Sequence, residues 1–395
     1  MTEQINTISK ITPEYDPWEA YLDIEQHGKL TLSNVEFTTT TLCNMRCSHC
    51  AVGHTLQHKD PDALPIELLL QRLEEIPHLR SLSITGGEPM MSNKSVQNYV
   101  LPLLKYAHEN GIRTQINSNL TLDLERYKLI AQYLDVLHIS HNWGTEDEFI
   151  DVGFGMMKRK PTREQRKVLF DKMITNSRAL SEMGVLVSAE TMLNKRTLPY
   201  LDKIHKQVVE EMKCQRHEIH PMYDSGFAGI TSSINTQDNL HPMYPSDFAS
   251  ALTSLSLEET REAIHHLLDI RDENTWMLFG TLPFYPCSTN EADQKLLQRL
   301  RTTKNVTMRN DPDGRSRLNI NIFTGDVIVT DFGDTPALGN IVHDELPLIF
   351  DKWMATDLAK SLNCHCPAVK CLGPNVLVKN MYYQDAAFVS GSARL

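Results

Sequence analysis

Along the first two-thirds of the chain, apolar positions switch between two periods. Short runs rich in β-branched residues repeat at every second position and predict strands. Longer stretches repeat at three and four positions and predict amphipathic helices. Residues 35–41 (Val-Glu-Phe-Thr-Thr-Thr-Thr) open the series as a strand. Pro65 starts a helix through Leu73, because its fixed φ and missing N–H suit a first turn. A strand over 81–85 ends in Gly86-Gly87-Glu88-Pro89. Ser92 or Asn93 then caps a helix carrying Val96, Val100, Leu103, Leu104 and Ala107; it closes at Gly111 and is expected to kink at Pro102. Strands over 113–117, 136–140, 185–192 and 218–222 follow, separated by helices over 122–133, 164–183 and 199–212. With the less regular segment after Met222, six strand–helix alternations are counted.

Such alternation implies an α/β fold, with a parallel sheet and right-handed crossovers that curls into a partial (βα)6 barrel. Ligands of such barrels gather at the carboxyl ends of the strands. The cysteine loop after the first strand, the Gly-Gly-Glu-Pro turn and Asn117-Ser118-Asn119 all fall at such ends. Ser256-Leu-Glu-Glu259 is a capping box that opens a helix through Ile270. Residues 289–316 are polar and charged and read as a linker. Beyond them, 317–323 and 327–329 form a hairpin around Thr324-Gly325. The expected organisation is an N-terminal extension (1–34), the barrel (35–288), the linker (289–316) and a small C-terminal domain (317–395).

Composition narrows the function. A net charge of −11 over 395 residues argues against non-specific nucleic-acid binding. The first thirty residues lack an apolar signal core, and no run of about 18 apolar residues occurs, so a cytoplasmic protein without a membrane partner is expected. Eight cysteines in such a protein point to metal or catalysis before disulfides. Six fall into two groups, Cys43/Cys47/Cys50 and Cys364/Cys366/Cys371, while Cys214 and Cys287 stand alone. Zinc, with His49 and His54 nearby, is one reading of the first group. Three cysteines within eight residues suit a cubane better, since each sulfur must reach a different iron. The second group reads either as zinc with His365 as a ligand or as an iron–sulfur cluster.

Cys43-x3-Cys47-x2-Cys50 after one strand, with Gly86-Gly87-Glu88-Pro89 after the next, resembles the radical S-adenosylmethionine (SAM) superfamily. The resemblance implies a TIM-like radical SAM barrel, a [4Fe–4S] cluster with one open iron, and SAM bound there. An electron passed into the sulfonium would release methionine and a 5′-deoxyadenosyl radical, which takes hydrogen from a substrate, peptide or small molecule. It implies an external one-electron reductant of flavodoxin or ferredoxin type. It also implies SAM contacts at Gly86, Gly87, Glu88 and Pro89, with Glu88 pairing the methionine ammonium, and at His49, where the family usually has an aromatic residue. Asn117, Ser118, Asn119, Ser140 and Asn194 occupy places where similar enzymes touch the ribose or carboxylate; as plain helix and turn caps they would look the same. Glu190, His220 and Tyr223 are candidates for the substrate side.

The tail from Thr324-Gly325, through Gly339-Asn340, to Cys364-His-Cys366-x4-Cys371 resembles the SPASM or twitch extension, which holds auxiliary clusters. The full pattern has a cysteine where this chain has Thr330, so one auxiliary cluster at most is implied, with Cys287 as its candidate fourth ligand. The whole layout is similar to YfkAB-type radical SAM proteins, a name that carries no substrate. Peptide-modifying relatives often carry a leader-binding domain, for which the thirty or so residues before the first strand are too few. An electron carrier or structural zinc protein without SAM turnover is the alternative, and the Gly-Gly-Glu-Pro turn argues against it. The basic run Lys158-Arg159-Lys160-Pro161-Thr162-Arg163, with Arg166 and Lys167, reads as a grip for a phosphate or carboxylate or, more simply, as a solvated helix start, and Gly153–Met157 as a mobile lid.

Overall fold

The computed structural model describes residues 10–50, 52–223, 254–330, 336–362, 364–386 and 388. Most of the irregular segment expected after Met222 lies outside them. The strands are β1 (Asn34–Thr38), β2 (Ser81–Thr85), β3 (Arg113–Ser118), β4 (Val136–Ser140), β5 (Leu186–Leu193), β6 (Arg216–Pro221), β7 (Trp276–Gly280), β8 (Val306–Arg309), β9 (Arg317–Asn321), β10 (Asp326–Ile328) and β11 (Gly339–Asn340). They form one sheet in the order β11-β10-β9-β1-β2-β3-β4-β5-β6-β7-β8. Pairing is parallel from β9 through β1 to β8, and only β10 and β11 join antiparallel. The large, mostly parallel α/β sheet is therefore as expected, but it runs past six units.

The stretch 289–316 is not a linker. It holds the helix Glu291–Thr302 and then β8, which pairs with β7. Leu296, Leu297 and Leu300 are buried on one face of that helix, and Asp293 is buried with them. Its other charges, Glu291, Lys295 and Arg301 among them, form the solvent face of an amphipathic element, which composition alone made look like a tether. The boundary expected at 317 is likewise no break in the sheet. Asn34 of β1 stands opposite Arg317 of β9, so the C-terminal hairpin extends the barrel sheet.

The segment before β1 is built into this body. Trp18 is buried and donates from Nε1 to Ser83 Oγ at 2.8 Å. Arg80 pairs with Asp23 at 2.6 Å, and Arg309 at the end of β8 pairs with Asp16 at 2.5 Å. The helix expected after Ser92 kinks through its hydrogen bonding. A turn Asn93–Ser95 is followed by a π segment Val96–Val100 and then by Leu101–Glu109, because Pro102 has no N–H to continue the α ladder. The helix expected over 122–133 is shorter, Leu124–Lys128 plus a 3₁₀ turn Ala131–Tyr133.

Candidate functional site

The cysteine loop hangs from the carboxyl end of β1. Asp60 fixes its entry by accepting from Thr41 N at 2.7 Å and from the Thr40 and Thr41 hydroxyls at 2.9 Å. The turn after β2 then locks onto it: Gly87 N donates to Thr40 O at 2.9 Å and Glu88 N to Leu42 O at 2.7 Å. A Cβ on Gly86 would sit 2.4 Å from Thr40 O, and one on Gly87 2.2 Å from Leu42 O. Gly86 also takes φ +136°, where side chains are disfavoured. These glycines thus let two backbones touch within the protein. On its other side the loop pairs with 152–156: Arg46 N to Gly153 O, Ser48 N to Val152 O and Met156 N to Arg46 O, each at 3.0 Å. The stretch read as a mobile lid is therefore bonded to the cysteine loop, with Gly153 and Phe154 buried.

Cys43, Cys47 and Cys50 are free, half-buried thiols. Burial pushes Cys43 up to about 12, with the Glu88 carboxylate adding to it, and burial also raises Cys47 and Cys50. The Met45 amide faces Cys43 Sγ at 3.4 Å and Asn119 Nδ2 lies 3.8 Å from it. Glu88 is fully buried. Its carboxylate accepts from Ser118 Oγ and Asn119 N, both at 2.8 Å, and from Met90 N at 3.3 Å, while burial raises its pKa to about 7. It thus ties the turn after β3 to the turn after β2.

The other expected SAM contacts divide. His49 is half-buried, with Nε2 3.3 Å from Asn142 Nδ2 and its ring 6.2 Å from Trp143; burial, then Arg196, lowers it to about 4. Ser48, His49, Asn142, Asn194, Arg196 and Met222 line one small pocket. Asn194 reaches it while its Oδ1 caps the next turn, accepting from Arg196 N and Thr197 N. Asn117 points elsewhere: it bonds Glu36, Gln115 and His138 within the barrel. Ser140 ends β4 half-buried, opposite Glu190. Asn119, Asn142 and Arg196 emerge beside the cysteine loop more clearly than Asn117 does. Their signal was their place just past strand ends.

Inside the barrel, charged residues of several strands converge. Glu218 takes Arg216 at 2.8 Å and Arg309 at 3.1 Å, and these cations hold it well below the carboxylate range despite burial. His138 stands 3.4 Å and His220 3.6 Å from Glu218. His138 was legible in the sequence as a polar residue in the alternation of β4, on one face with Ser140. Tyr223 donates to Thr281 O and so braces a loop.

The tail cysteines also meet. Cys364 Sγ and Cys366 Sγ are 4.0 Å apart, and Cys366 and Cys371 form an antiparallel bridge. Cys287 lies near enough that its charge raises Cys364 and Cys371, after burial and the other cysteines or backbone contacts have acted. Around them pack Tyr223, Tyr285, Val378, Tyr382, Tyr383 and Phe388. His365 Nε2 is 2.9 Å from Tyr21 Oη. Cys214 is buried against Ser177, in keeping with a core role. Among the described residues, no three His, Cys, Asp or Glu side chains are grouped to hold a single metal ion. An iron–sulfur cluster takes each thiolate on a different iron of its core. The donor sets at both places, all sulfur, suit a cluster.

Two family models match the chain: the radical SAM superfamily over residues 37–207 and the YfkB-like domain over 243–393. The YfkA protein of Bacillus subtilis (strain 168) is 68% identical over 391 residues, covering 99% of both chains. Among solved structures, Streptococcus suis SuiB bound to S-adenosylmethionine matches with a TM-score of 0.55 at 16% identity, over 90% of this chain and 74% of that one. Native anSMEcpe with bound AdoMet matches with a TM-score of 0.55 at 14% identity, over 90% and 92%. Among the described residues, no helix is long and apolar enough to cross a membrane.

Proposed function

The chain belongs to the radical SAM superfamily, a family of enzymes that use a [4Fe–4S] cluster and SAM, and from that premise we propose which of its residues hold them. Cys43, Cys47 and Cys50 hold the cluster through three of its irons, and Gly86, Gly87, Glu88, Pro89, His49, Asn142 and Asn194 surround SAM at the fourth. The cluster and SAM held there would supply one-electron cleavage of the sulfonium and, through it, hydrogen-atom abstraction from a substrate. The carrying observation is that the Gly-Gly-Glu-Pro turn bonds the backbone on the approach to Cys43 through Thr40 and Leu42.

The chain's own groups prepare this site. Desolvation raises all three thiols and so favours their protonated form, and ligation to a metal would release those protons. The Met45 amide and Asn119 point donors at Cys43 Sγ, which stabilises charge on that sulfur. His49 is uncharged at neutral pH, so it offers a flat neutral ring beside the pocket. Glu88 keeps the turns after β2 and β3 in register. Its carboxylate already has three protein donors, so the ammonium contact would have to share it.

Cys364, Cys366, Cys371 and Cys287 hold one auxiliary iron–sulfur cluster within the aromatic shell. The reductant is a flavodoxin or ferredoxin type protein, the reaction is an oxidoreduction of a peptide or small molecule, and the setting is the cytoplasm. The test is anaerobic reconstitution followed by dithionite and SAM. The reading expects 5′-deoxyadenosine, lost in the Cys43→Ala/Cys47→Ala/Cys50→Ala variant. Product that persists in that variant contradicts the assignment.

A further inference from the structure

A cavity of about 280 Å³ opens at the free edge of the sheet, close to the smallest volumes, about 300 Å³, that hold small molecules. It lies where the ends of β7 and β8 meet the helix Tyr21–His27 and the loop carrying Cys371. β8 is the last strand in the sheet order. Gly280 stands opposite Arg309 in register, and Phe279 opposite Met308. Arg309 turns to Glu218 in the lumen, so Phe279 and Met308 face outward, where Phe284 and Leu297 complete an apolar wall. The cavity shares no lining residue with the pocket at His49.

Most of its polar lining is already committed. Asp311 accepts from Asn375 Nδ2 at 2.7 Å, from Asp313 N at 2.8 Å and from Thr281 Oγ1 at 3.0 Å. Glu19 is held by Asn310, Glu25 pairs with Lys370 at 2.5 Å, and Arg309 pairs with Asp16 and Glu218. Three groups remain. Arg315 is 5% exposed and donates only to the carbonyls of Asp311, Leu372, Gly373 and Pro374; among the described residues it has no carboxylate partner. Tyr285 is 6% exposed, and its hydroxyl has no hydrogen-bond partner among the described residues. Burial raises that hydroxyl, and the nearby Arg315 charge opposes the rise, which places the two groups together. Arg301 is exposed at the rim, with no ion pair or hydrogen bond from its side chain among the described residues. A buried phenol normally finds a partner and a buried guanidinium an anion, so their convergence on one cavity marks a place for a negatively charged guest.

We propose that this cavity binds a small organic oxyanion, a carboxylate or a phosphate ester with an aromatic or aliphatic body. The anion lies against Arg315 and accepts from the Tyr285 hydroxyl, Arg301 draws it in at the rim, and the body rests on Phe279, Phe284 and Met308. A guanidinium fork suits either oxyanion. A cationic guest is disfavoured, because every carboxylate of the lining is already held. Cys371 lines the same cavity, which sets the ligand beside the tail cysteines. The site goes beyond the reading of Cys43–Cys50 as the radical centre and does not depend on it.

The experiment is calorimetric titration of the full-length reconstituted protein with phenylacetate, phenyl phosphate and phenethylamine. Saturable binding of at least one anion, about tenfold tighter than the amine or more, is expected. The tighter of the two anions identifies the headgroup as carboxylate or phosphate. Tyr285→Phe, which removes one oxygen, should weaken that anion about tenfold. Arg301→Gln should weaken it about threefold, as befits an exposed cation, and Arg301→Lys should recover part of the loss. Arg315 is left unchanged because it also braces the tail carbonyls. SAM should not displace the anion. No saturable anion binding, an amine that binds as tightly, or displacement by SAM overturns the site. So does unchanged anion binding by a Tyr285→Phe protein with wild-type melting, or by Arg301→Gln where Tyr285→Phe does not fold.

Discussion

Cys43, Cys47 and Cys50 come from one loop on one parallel strand, and their braces are other strand ends. Cys287, Cys364, Cys366 and Cys371 come from two distant loops, and their braces are aromatic rings and the N-terminal helix. The first group is held by main-chain bonds, from Gly87 to Thr40 and from Glu88 to Leu42. The second is held largely by side chains: Tyr382 Oη donates to Leu255 O at 2.6 Å, Tyr383 Oη to Pro283 O at 2.5 Å, and Asn310 Oδ1 accepts from Leu372 N at 2.9 Å. Backbone bracing at strand ends fixes positions with little freedom. Side-chain bracing leaves geometry that single substitutions can shift. On the assignment proposed above, that difference fits unequal roles, with an open-iron site that must be exact and an auxiliary site that must only be filled.

The largest expected effect separates the two. The triple alanine variant of Cys43, Cys47 and Cys50 should lose 5′-deoxyadenosine to background and about four irons per chain, while the tail absorbance persists. Cys364→Ala should do the reverse, leaving about four irons and continued SAM cleavage. Iron analysis with the product assay checks both. If Cys364→Ala also abolished SAM cleavage, the two groups would not be independent. Gly87→Ala tests the backbone brace. Its Cβ would meet Leu42 O at 2.2 Å, so a cost of about 1–3 kcal/mol and weaker SAM binding are expected in thermal melts and titrations.

The smallest effect concerns Glu19, which supports the tail through Asn310. Its carboxylate accepts from Asn310 N and Nδ2, both at 2.9 Å, and burial raises its pKa from 4.5 to about 7. A carboxyl raised in the folded state binds more protons than in the unfolded state between those values. Its contribution is therefore complete below about 4.5 and lost as pH rises through about 7. Glu19→Gln should flatten the fall in stability over that range by ~1–2 kcal/mol, discounted for partial exposure. Melting temperature against pH for both proteins checks it; parallel curves would contradict it.

Much of this molecule was readable from residue order. The strand ends that carry Cys43, Glu88 and Asn119 followed from period-two runs broken by Gly and Asn. The grouping of Cys287 with the tail was a guess that spacing could not decide, because 77 residues of sequence separation say nothing about approach in space. The helix Glu291–Thr302 was hidden by its charged outer face, and the continuity of β9 with β1 by the distance between them in sequence. The lumen network was hidden for the same reason. Glu190 and His220 stood out as candidates, but Glu218 and Arg309 are unremarkable one at a time, and only the curl of the sheet brings them within 4 Å of the imidazoles or of each other.

The most direct test of the central claim uses a variant with Cys364, Cys366 and Cys371 changed to alanine, reduced under anaerobic conditions. Its electron paramagnetic resonance is recorded with and without SAM carrying ¹⁷O in the carboxylate. The account predicts a [4Fe–4S]⁺ signal that shifts when SAM is added and couples to the label. A signal indifferent to SAM, or zinc in place of iron at Cys43, Cys47 and Cys50, would contradict it.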